Sequence, residues 1–294
     1  MLRPAAFGFN ADTAGTNHLQ QPGGDPSRDA AQACREFDDM AGRLRAAGVR
    51  VAVLDDEPVP PKPDAVFPNN WISFHADGTV VLYPMHGPNR RRERRPEAMI
   101  DRACALGFAP RRVFDLSREE QRGRFLEGTG SLVLDNVARV AYLARSPRSD
   151  ESLAREWAAE LGYELEAFDA ATADGASIYH TNVLLWIGER AAGVGLEWIA
   201  PADRGRVRER LVSSGRTLIT LDARELGSFA GNMLELRSAD GRHVLVLSST
   251  ALASFPAARR ELLQSVTDVL LAAAVPTIEL RGGGSVRCML AEVP

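Results

Sequence analysis

Apolar residues recur at helical spacing in five segments of the chain, and a short extended segment follows each of them. Proline suits the first turn of a helix and glycine often follows the last turn, and most of these segments are bounded in that way. In the third segment the serine at position 149 is the predicted cap. The five helices are predicted to begin near Ser27, Glu97, Ser149, Ala202 and Ala257.

Alternating apolar residues predict a pair of strands before most of these helices and a single strand after each of them. The strands that follow the helices are short and rich in β-branched residues or leucine, and the last of them is PTIEL. Asp77 and Asp240, each followed by glycine, mark tight turns in two of four hairpins. The repeating unit is therefore strand, strand, helix, strand, at roughly the spacing of known repeat architectures.

Four complete hairpins accompany five helices, so the fifth hairpin has to come from the two ends of the chain. Residues 5–9 and 286–291 are predicted to pair, which would place Cys288 on the last strand and close the units into a ring. Asp64, Glu127 and His180 each stand where a hairpin begins, so closure would gather them and Cys288 at the ring axis. The sequence thus predicts a single α/β domain over residues 1–294, built from five pseudo-symmetric ββαβ units.

Composition and charge restrict the classes of function that such a domain could have. The chain is 45% hydrophobic, enough for a substantial core, and its net charge of −4 argues against general nucleic-acid binding. The arginine run at residues 90–95 is interpreted as a solvated loop with one or two arginines turned towards an acidic ligand group. The longest apolar run, residues 269–275, is far too short to span a membrane. The absence of a signal-peptide pattern and the three unpatterned cysteines lead us to expect a cytoplasmic protein.

Two residues have the chemistry of a nucleophile and its base. Cys288 follows the glycine-rich stretch RGGGSVR, and the neighbouring Arg287 would favour the thiolate; a core strand cysteine is the competing interpretation. His180 begins an apolar strand and suits proton transfer near neutral pH, although a lone histidine there is often structural. Cys34 and Cys104 lie on helix faces and are interpreted as packing residues.

Two acids are candidates for binding a cation. Glu127 and Asp64 lie beside apolar strands, and an exposed turn carboxylate is the common fate of such residues. Two carboxylates that face one cavity would instead match the planar donors of a guanidinium. Asn69 and Asn70 form either a turn or a polar contact to substrate. No Cys/His spacing fits a metal site, and no helix follows the RGGGS stretch to bind phosphate.

Seven motifs in this order resemble the guanidino-group modifying enzymes of the pentein superfamily, which includes arginine deiminase, dimethylarginine dimethylaminohydrolase and amidinotransferases. Within it, the chain is similar to the amidinotransferase-like or citrulline utilization hydrolase branch. The resemblance implies a five-bladed α/β propeller, no metal or organic cofactor, and a homodimer as the assembly. The motifs span nearly the whole chain and are FGFNADTAGTN, DAVFPNNWIS, LYPMHGPNRRRERR, LEGTGSLVLD, YHTNVLL, GNMLEL and GGGSVRCML.

The resemblance also implies the reaction and its central residues. Cys288 would be the nucleophile, His180 the general acid and base, and Glu127 and Asp64 the carboxylates that hold the guanidino group. The expected reaction is hydrolysis of a carbon–nitrogen bond in a guanidino or ureido compound, through a covalent S-alkylthiouronium on Cys288. The alternatives are an amidinotransferase with an amine acceptor and a non-catalytic guanidino-binding protein.

Further residues are assigned to substrate recognition by the same resemblance. Arg90, and less directly Arg148, matches residues that bind a substrate carboxylate. Loops near Asn17, Asn70 and Arg90 would select among arginine, its derivatives and citrulline-like compounds. Several relatives carry an acid where this chain has Asn69 or Asn70, so one charge facing a guanidinium is missing here.

Overall fold

The computed structural model describes residues 1–294 and contains ten α-helices. The five predicted helices are confirmed, and they are the five longest of the ten. Pro26, Pro96 and Pro201 lie in the first turns of their helices, where a missing N–H removes no helical hydrogen bond. The helices are Ala11–Ala14 (α1), Pro26–Ala46 (α2), Pro96–Cys104 (α3), Gly128–Ser131 (α4), Glu151–Leu161 (α5), Pro201–Ser213 (α6), Ala223–Gly227 (α7), Ser249–Ser254 (α8), Ala257–Ser265 (α9) and Pro276–Gly282 (α10).

Fourteen strands form five separate small sheets. Four sheets have three strands, in which an antiparallel hairpin pairs in parallel with the strand that follows the next long helix. This arrangement is the predicted unit of strand, strand, helix, strand. The strands are Leu2–Arg3 (β1), Leu54–Asp55 (β2), Ile72–Phe74 (β3), Thr79–Leu82 (β4), Arg112–Asp115 (β5), Leu132–Asp135 (β6), Val140–Ala144 (β7), Glu164–Phe168 (β8), Leu185–Ile187 (β9), Ala191–Val194 (β10), Thr217–Thr220 (β11), Leu234–Arg237 (β12), His243–Ser248 (β13) and Val269–Ala273 (β14).

The two ends of the chain differ from the prediction. The fifth sheet consists only of β1, which precedes α2 in the chain, and β2, which follows α2. The two strands pair in parallel. Residues 5–9 and 286–291 form no strand. In the second segment the backbone N–H groups of Cys288 and Leu290 bond to carbonyls three residues earlier, which is turn geometry. Cys288 therefore lies in a turn, and the prediction that it lies on the last strand is wrong.

Two local predictions are also corrected. The segment PTIEL belongs to α10, with Pro276 in its first turn and a left-handed glycine after its last turn, and the strand of that unit is β14. Five residues are too few for periodicity to distinguish a strand from a helix. The cap of α5 is Asp150, whose carboxylate accepts from the Leu153 backbone N–H at 2.8 Å, and not the predicted Ser149.

A short turn precedes the first strand of each hairpin, and we call these the inner turns: Pro68–Asn70, α4, Thr181–Val183 and residues 230–232. They bond to one another in chain order, and the turn that contains Cys288 continues the series. The bonds run from Asn69 Nδ2 to Thr129 Oγ1 (3.3 Å), Asn182 Nδ2 to the Thr129 carbonyl (3.3 Å), Asn232 Nδ2 to the Asn182 carbonyl (3.0 Å), and the Arg287 N–H to Asn232 Oδ1 (3.1 Å).

The last turn also packs against the first. A Cβ atom placed on Gly282 or Gly284 would lie 2.7 or 2.9 Å from Phe67 Cζ, so only glycine permits this approach. The series of inner turns therefore returns to its starting point.

The core lies between the long helices and the sheets in four clusters of buried apolar residues, the largest with 30 members. The helices cover the sheets, as expected of a layered α/β domain. None of the helices combines the length and the apolar character that crossing a membrane would require.

Candidate active site

The inner turns and the loops beside them bring most of the predicted site residues into one buried cluster. Hydrogen bonds and ion pairs connect its members. Each has at most 3% of its surface exposed: Asp64, Asn70, Arg90, Glu127, Arg148 and His180. The two other predicted residues, Cys288 and Asn17, are also buried.

His180 and Glu127 form a hydrogen-bonded pair within this cluster. His180 Nε2 donates to Glu127 Oε2 at 2.8 Å, and the His86 backbone N–H donates to Glu127 Oε1 at 2.9 Å. Burial lowers the pKa of His180 to about 4, although Glu127 opposes this. Burial disfavours the charge of Glu127, but Arg148, His180 and Arg90 outweigh it and hold the pKa of Glu127 below its usual range. A neutral imidazole thus donates its Nε2 proton to a carboxylate, which leaves Nδ1 able to accept a proton.

Asp64 is held by the segment of chain around α1. Its Oδ2 accepts hydrogen bonds from Asn10 Nδ2 at 2.7 Å and Thr13 Oγ1 at 3.3 Å, and its Oδ1 accepts from Gln20 Nε2 at 3.5 Å. Arg90 Nε lies 3.6 Å from Oδ2. Burial raises the pKa of Asp64, and Arg90 and the Asn10 hydrogen bond oppose the rise. In this structure Asp64 is therefore engaged by protein groups.

Arg90 is bonded on all three of its guanidinium nitrogens. Nε and Nη2 form a two-point pair with Glu93 at 2.9 and 3.0 Å, and Nη1 donates to Asn70 Oδ1 at 2.9 Å. The carboxylates of Asp64 and Glu127 lie 3.6 and 3.7 Å away. Burial raises the pKa of Glu93 to about 7, with Arg90 opposing. Arg90 thus lies close to three buried carboxyl groups, those of Glu93, Asp64 and Glu127.

Arg148 connects the α1 segment to Glu127. Its Nε donates to Thr16 Oγ1 at 2.9 Å, and its Nη2 donates to the Thr13 carbonyl at 2.9 Å. Nη1 lies 3.5 Å from Glu127 Oε2, and the guanidinium lies 5.1 Å from the centre of the Tyr179 ring. Nη1 makes an ion pair but no hydrogen bond, so it is the group of Arg148 that is available to a ligand.

The sulfur of Cys288 is contacted by two side-chain amides. Asn232 Nδ2 lies 3.2 Å from Sγ, and Asn182 Nδ2 lies 3.6 Å from it. Arg287 faces away, because its guanidinium donates to the Leu290 carbonyl at 3.1 Å and pairs with Glu292 at 2.8 Å. The prediction that Arg287 supplies a cation to the sulfur is therefore wrong.

Tyr179 connects the turn that contains Cys288 to the imidazole. Its ring centre lies 4.8 Å from that of His180, and its hydroxyl donates to the Gly283 carbonyl at 2.5 Å. Burial and the nearby Cys288 raise the pKa of Tyr179, so the phenol stays neutral. Tyr179 thus packs beside His180 and binds the segment that leads from α10 to Cys288.

Asn17 and Asn70 have different surroundings. Asn17 Nδ2 donates to the Gly282 carbonyl at 3.2 Å, so it ties its loop to the last turn. Asn70 Oδ1 accepts from Arg90, whereas its Nδ2 is buried without a partner. A Cβ atom on Gly130 would lie 2.5 Å from Asn70 Nδ2 and 2.7 Å from His180 Nδ1, so both nitrogens border the space beside Gly130.

Four residues of the site were missed in the sequence. Asn182 and Asn232 stand in the motifs YHTNVLL and GNMLEL, but nothing local assigns them to a sulfur. Tyr179 directly precedes His180. Glu93 could have been found, because it follows Arg90 by three positions and that spacing favours an ion pair within one helical turn.

Glu189, Glu235 and His243 lie close enough together to hold a metal ion. His243 Nδ1 bonds to Glu235 at 3.0 Å, and Glu189 pairs with Arg237 at the protein surface. These contacts join two neighbouring hairpins, so the cluster has a structural explanation.

Solved structures share this fold. The N-terminal domain of ArgZ, an arginine dihydrolase from Cyanobacteria, has a TM-score of 0.74 and 16% identity, and the alignment covers 98% of this chain and 95% of that domain. AgrE, in its complex with ornithine and NAD+, has a TM-score of 0.74 and 18% identity, with 100% of this chain but 39% of AgrE covered. The chain likewise spans 39% of the longer ArgZ chain. A dimethylarginine dimethylaminohydrolase adduct has a TM-score of 0.63 and 13% identity, covering 97% and 96%.

No curated protein sequence matches the chain at a significant level. A family model described as "N,N dimethylarginine dimethylhydrolase, eukaryotic" matches residues 3–294, which is nearly the whole chain. The matched region contains every residue of the buried cluster. The chain therefore belongs to the N,N-dimethylarginine dimethylhydrolase family.

Proposed function

We propose that this chain is a cysteine-dependent hydrolase that cleaves a carbon–nitrogen bond of a guanidino or ureido compound related to arginine, without a metal or organic cofactor. The observation that supports the proposal is that Asn182, two residues after His180, lies 3.6 Å from the Cys288 sulfur, while His180 itself is hydrogen-bonded to Glu127, so the candidate nucleophile and the candidate proton carrier come from adjoining buried turns. Covalent catalysis needs a nucleophile and a proton carrier in one pocket. A protein that only binds its ligand has no need of this combination.

The catalytic domain, residues 1–294, is proposed to be a five-bladed α/β propeller. Each of the five sheets is accompanied by one long helix, and the inner turns bond to one another in chain order. The contact of Phe67 with Gly282 and Gly284 supports closure between the first and last units. In such a ring the inner turns surround the axis, and the reactive side chains lie together there.

The charges of the cluster favour a cationic substrate group. Arg90 and Arg148 face the carboxyl groups of Asp64, Glu93 and Glu127, and when all three are ionised they outnumber the guanidinium groups by one, which leaves a place for a cationic substrate group. A guanidinium supplies that charge and donates to carboxylates in pairs. We assign the guanidino nitrogens to Glu127 and Asp64. We assign a substrate carboxylate to Nη1 of Arg148, with Arg90 as its neighbour.

In the proposed reaction the Cys288 sulfur attacks the guanidino carbon while its proton moves to His180 Nδ1. His180 then gives this proton to the departing nitrogen, the carbon–nitrogen bond breaks, and a thiouronium remains on the sulfur. A water molecule attacks the same carbon and gives a proton to His180. The carbon–sulfur bond breaks, His180 returns its proton to the sulfur, and the added hydroxyl group loses its proton to solvent as the ureido product leaves. Glu127 holds the Nε2 proton of His180 throughout and stabilises the transient imidazolium.

The test is ammonia or amine release from a panel of guanidino and ureido compounds, without an added amine acceptor. The Cys288→Ala variant should lose turnover and still bind the substrate, as measured by calorimetry. Cys104→Ala, which removes an exposed thiol, is the matched control and should retain activity. Turnover by the Cys288→Ala variant would refute the mechanism. Product formation that depends on an amine acceptor would favour the amidinotransferase.

A second candidate activity is hydrolysis of the ureido product as well, with release of a second nitrogen. Asn70 Oδ1 is fixed on Arg90, so its unpartnered Nδ2 must act as a donor near His180 Nδ1. A guanidinium offers no acceptor to such a group, whereas a ureido carbonyl does. ArgZ, which shares the fold, is described as an arginine dihydrolase.

Counting ammonia per molecule of substrate distinguishes the two reactions. One ammonia and a ureido product indicate a single hydrolysis, and two ammonia with an amine product indicate both. Asn70→Asp keeps the acceptor for Arg90 but removes the free donor, so it should stop the reaction at the ureido stage. An unchanged yield of two ammonia in this variant would refute the role of Asn70. The substrate, the homodimer and the cytoplasmic location remain predictions.

A further inference from the structure

Two amide groups approach the sulfur of Cys288, and the backbone fixes which of their atoms faces it. Asn232 Oδ1 accepts from the Arg287 backbone N–H at 3.1 Å, and its Nδ2 donates to the Asn182 carbonyl at 3.0 Å. Asn182 Nδ2 donates to the Thr129 carbonyl at 3.3 Å. A backbone N–H only donates and a carbonyl only accepts, so rotating either amide by half a turn would lose these bonds. Both amides therefore present N–H groups to the sulfur.

Two donors aimed at one sulfur stabilise its anionic form. Hydrogen bonds to a charged acceptor are stronger than those to a neutral one, and the difference grows in a buried site. Cys288, Asn182 and Asn232 are at most 5% exposed. The charge of Arg287 is directed to Glu292, so the amides replace the cation that the sequence predicted there.

We propose that Asn232 and Asn182 are catalytic residues that stabilise the Cys288 thiolate through their N–H groups. The proposal rests on the proposed function in taking Cys288 as the nucleophile. The two donors act when the thiol proton leaves, and they hold the sulfur again when the carbon–sulfur bond breaks. Asn232 is the stronger contact, because its Nδ2 lies 3.2 Å from Sγ against 3.6 Å for Asn182.

The phenol of Tyr179 and the imidazole of His180 are both uncharged near neutral pH. Tyr179 stays neutral because burial and Cys288 itself raise the pKa of the phenol. His180, whose ring lies beside Tyr179, is neutral near pH 7 because burial lowers its pKa to about 4. Asp64 raises the pKa of Tyr179, whereas the two arginines of the cluster, Arg148 and Arg90, lower it.

The experiment measures the alkylation rate of Cys288 by iodoacetamide, without substrate, between about pH 5 and pH 9, where thiols titrate. Cys34→Ser and Cys104→Ser are introduced first, so that Cys288 is the one remaining thiol. Asn232→Asp keeps the acceptor for Arg287 and removes the donor, but it also places a negative charge beside the sulfur. Asn232→Leu, which is uncharged and removes the donor without that charge, is therefore made beside it and should slow alkylation in the same direction. Asn182→Asp is the variant at the second amide, in case neither of these folds, and circular dichroism checks the fold of all three.

Asn232→Asp is expected to slow alkylation at neutral pH by about tenfold or more, which corresponds to losing one hydrogen bond to a charged group. The pH of half-maximal rate should move upwards, and Asn182→Asp should give a smaller change of the same sign. An unchanged rate would overturn the proposal. A rate that falls by the same factor at every pH would also overturn it, because that result indicates loss of position only.

Alkylation involves no turnover, so the two proposals fail separately. If the pH of half-maximal rate moves as expected but no guanidino compound is hydrolysed, the result supports the role of the amide donors and refutes the hydrolase assignment. If hydrolysis occurs but the pH profile of alkylation for Asn232→Asp equals that of the protein without this substitution, the result supports the hydrolase assignment and refutes the role of the amides.

Discussion

Substituting Gly130 by alanine should displace the imidazole of His180, the proposed general acid and base, without changing the side chain itself. Gly130 lies in α4 and does not have a positive φ, so alanine meets no backbone strain. Its Cβ would lie 2.5 Å from Asn70 Nδ2, 2.7 Å from His180 Nδ1 and 2.9 Å from His180 Cε1. Ordinary van der Waals contact begins at 3.4 Å, so His180 Nδ1 has to move away from the new Cβ by about 3.4 − 2.7 = 0.7 Å.

The size of the effect follows from what resists this movement. His180 is held by its 2.8 Å bond to Glu127, and Asn70 is held by its 2.9 Å bond to Arg90, so neither side chain swings away freely. Overpacking of this kind costs about 1–3 kcal/mol of folding free energy. A displacement approaching 1 Å in a catalytic group lowers kcat/KM by about a hundredfold.

Gly205→Ala is the matched control. Gly205 lies inside α6 with no atom within 4 Å of a new Cβ, so alanine there should raise stability by about 0.5–1 kcal/mol and leave activity unchanged. Urea unfolding gives the stability of both variants, and ammonia release gives kcat/KM. Wild-type stability together with wild-type kcat/KM for Gly130→Ala would show that His180 is not confined as described.

Two further predictions concern stability. Arg216 and Asp135 form a buried two-point ion pair between neighbouring sheets, with Nη2 to Oδ1 at 2.9 Å, so Arg216→Met should cost about 3–5 kcal/mol in urea unfolding. Arg237→Met, which breaks an exposed pair, should cost less than about 1 kcal/mol, and equal losses would contradict the argument. Burial lowers the pKa of His75 from 6.5 to about 4, so the stability that it contributes above pH 6.5 is lost as the pH falls through 4. His75→Gln should therefore reduce the loss of unfolding free energy between these pH values by roughly 3 kcal/mol, and an unchanged acid profile would show that His75 is not buried in its neutral form.

The sequence alone determined the elements whose pattern is local. The five long helices have apolar stripes and, except for α5, a proline at or next to their start, and hairpins with Asp-Gly turns are visible in a few residues, so their prediction succeeded. The prediction failed where the pattern was short. PTIEL and residues 286–291 have strand-like compositions, but α10 and a turn formed instead, and β1 paired with β2, with Leu2 opposite Leu54.

The residue types of the site could also be predicted from the sequence, because the reactivity of a thiol, an imidazole or a carboxylate is a property of the side chain itself. Their partners were not. Cys288 meets amides 56 and 106 positions away in the chain, while the adjacent Arg287 turns to Glu292. The guanidinium of Arg90 forms a two-point ion pair with Glu93. Hydrogen bonds and charges act over a few ångströms of space, and only the folded path of the chain decides which side chains come within that distance.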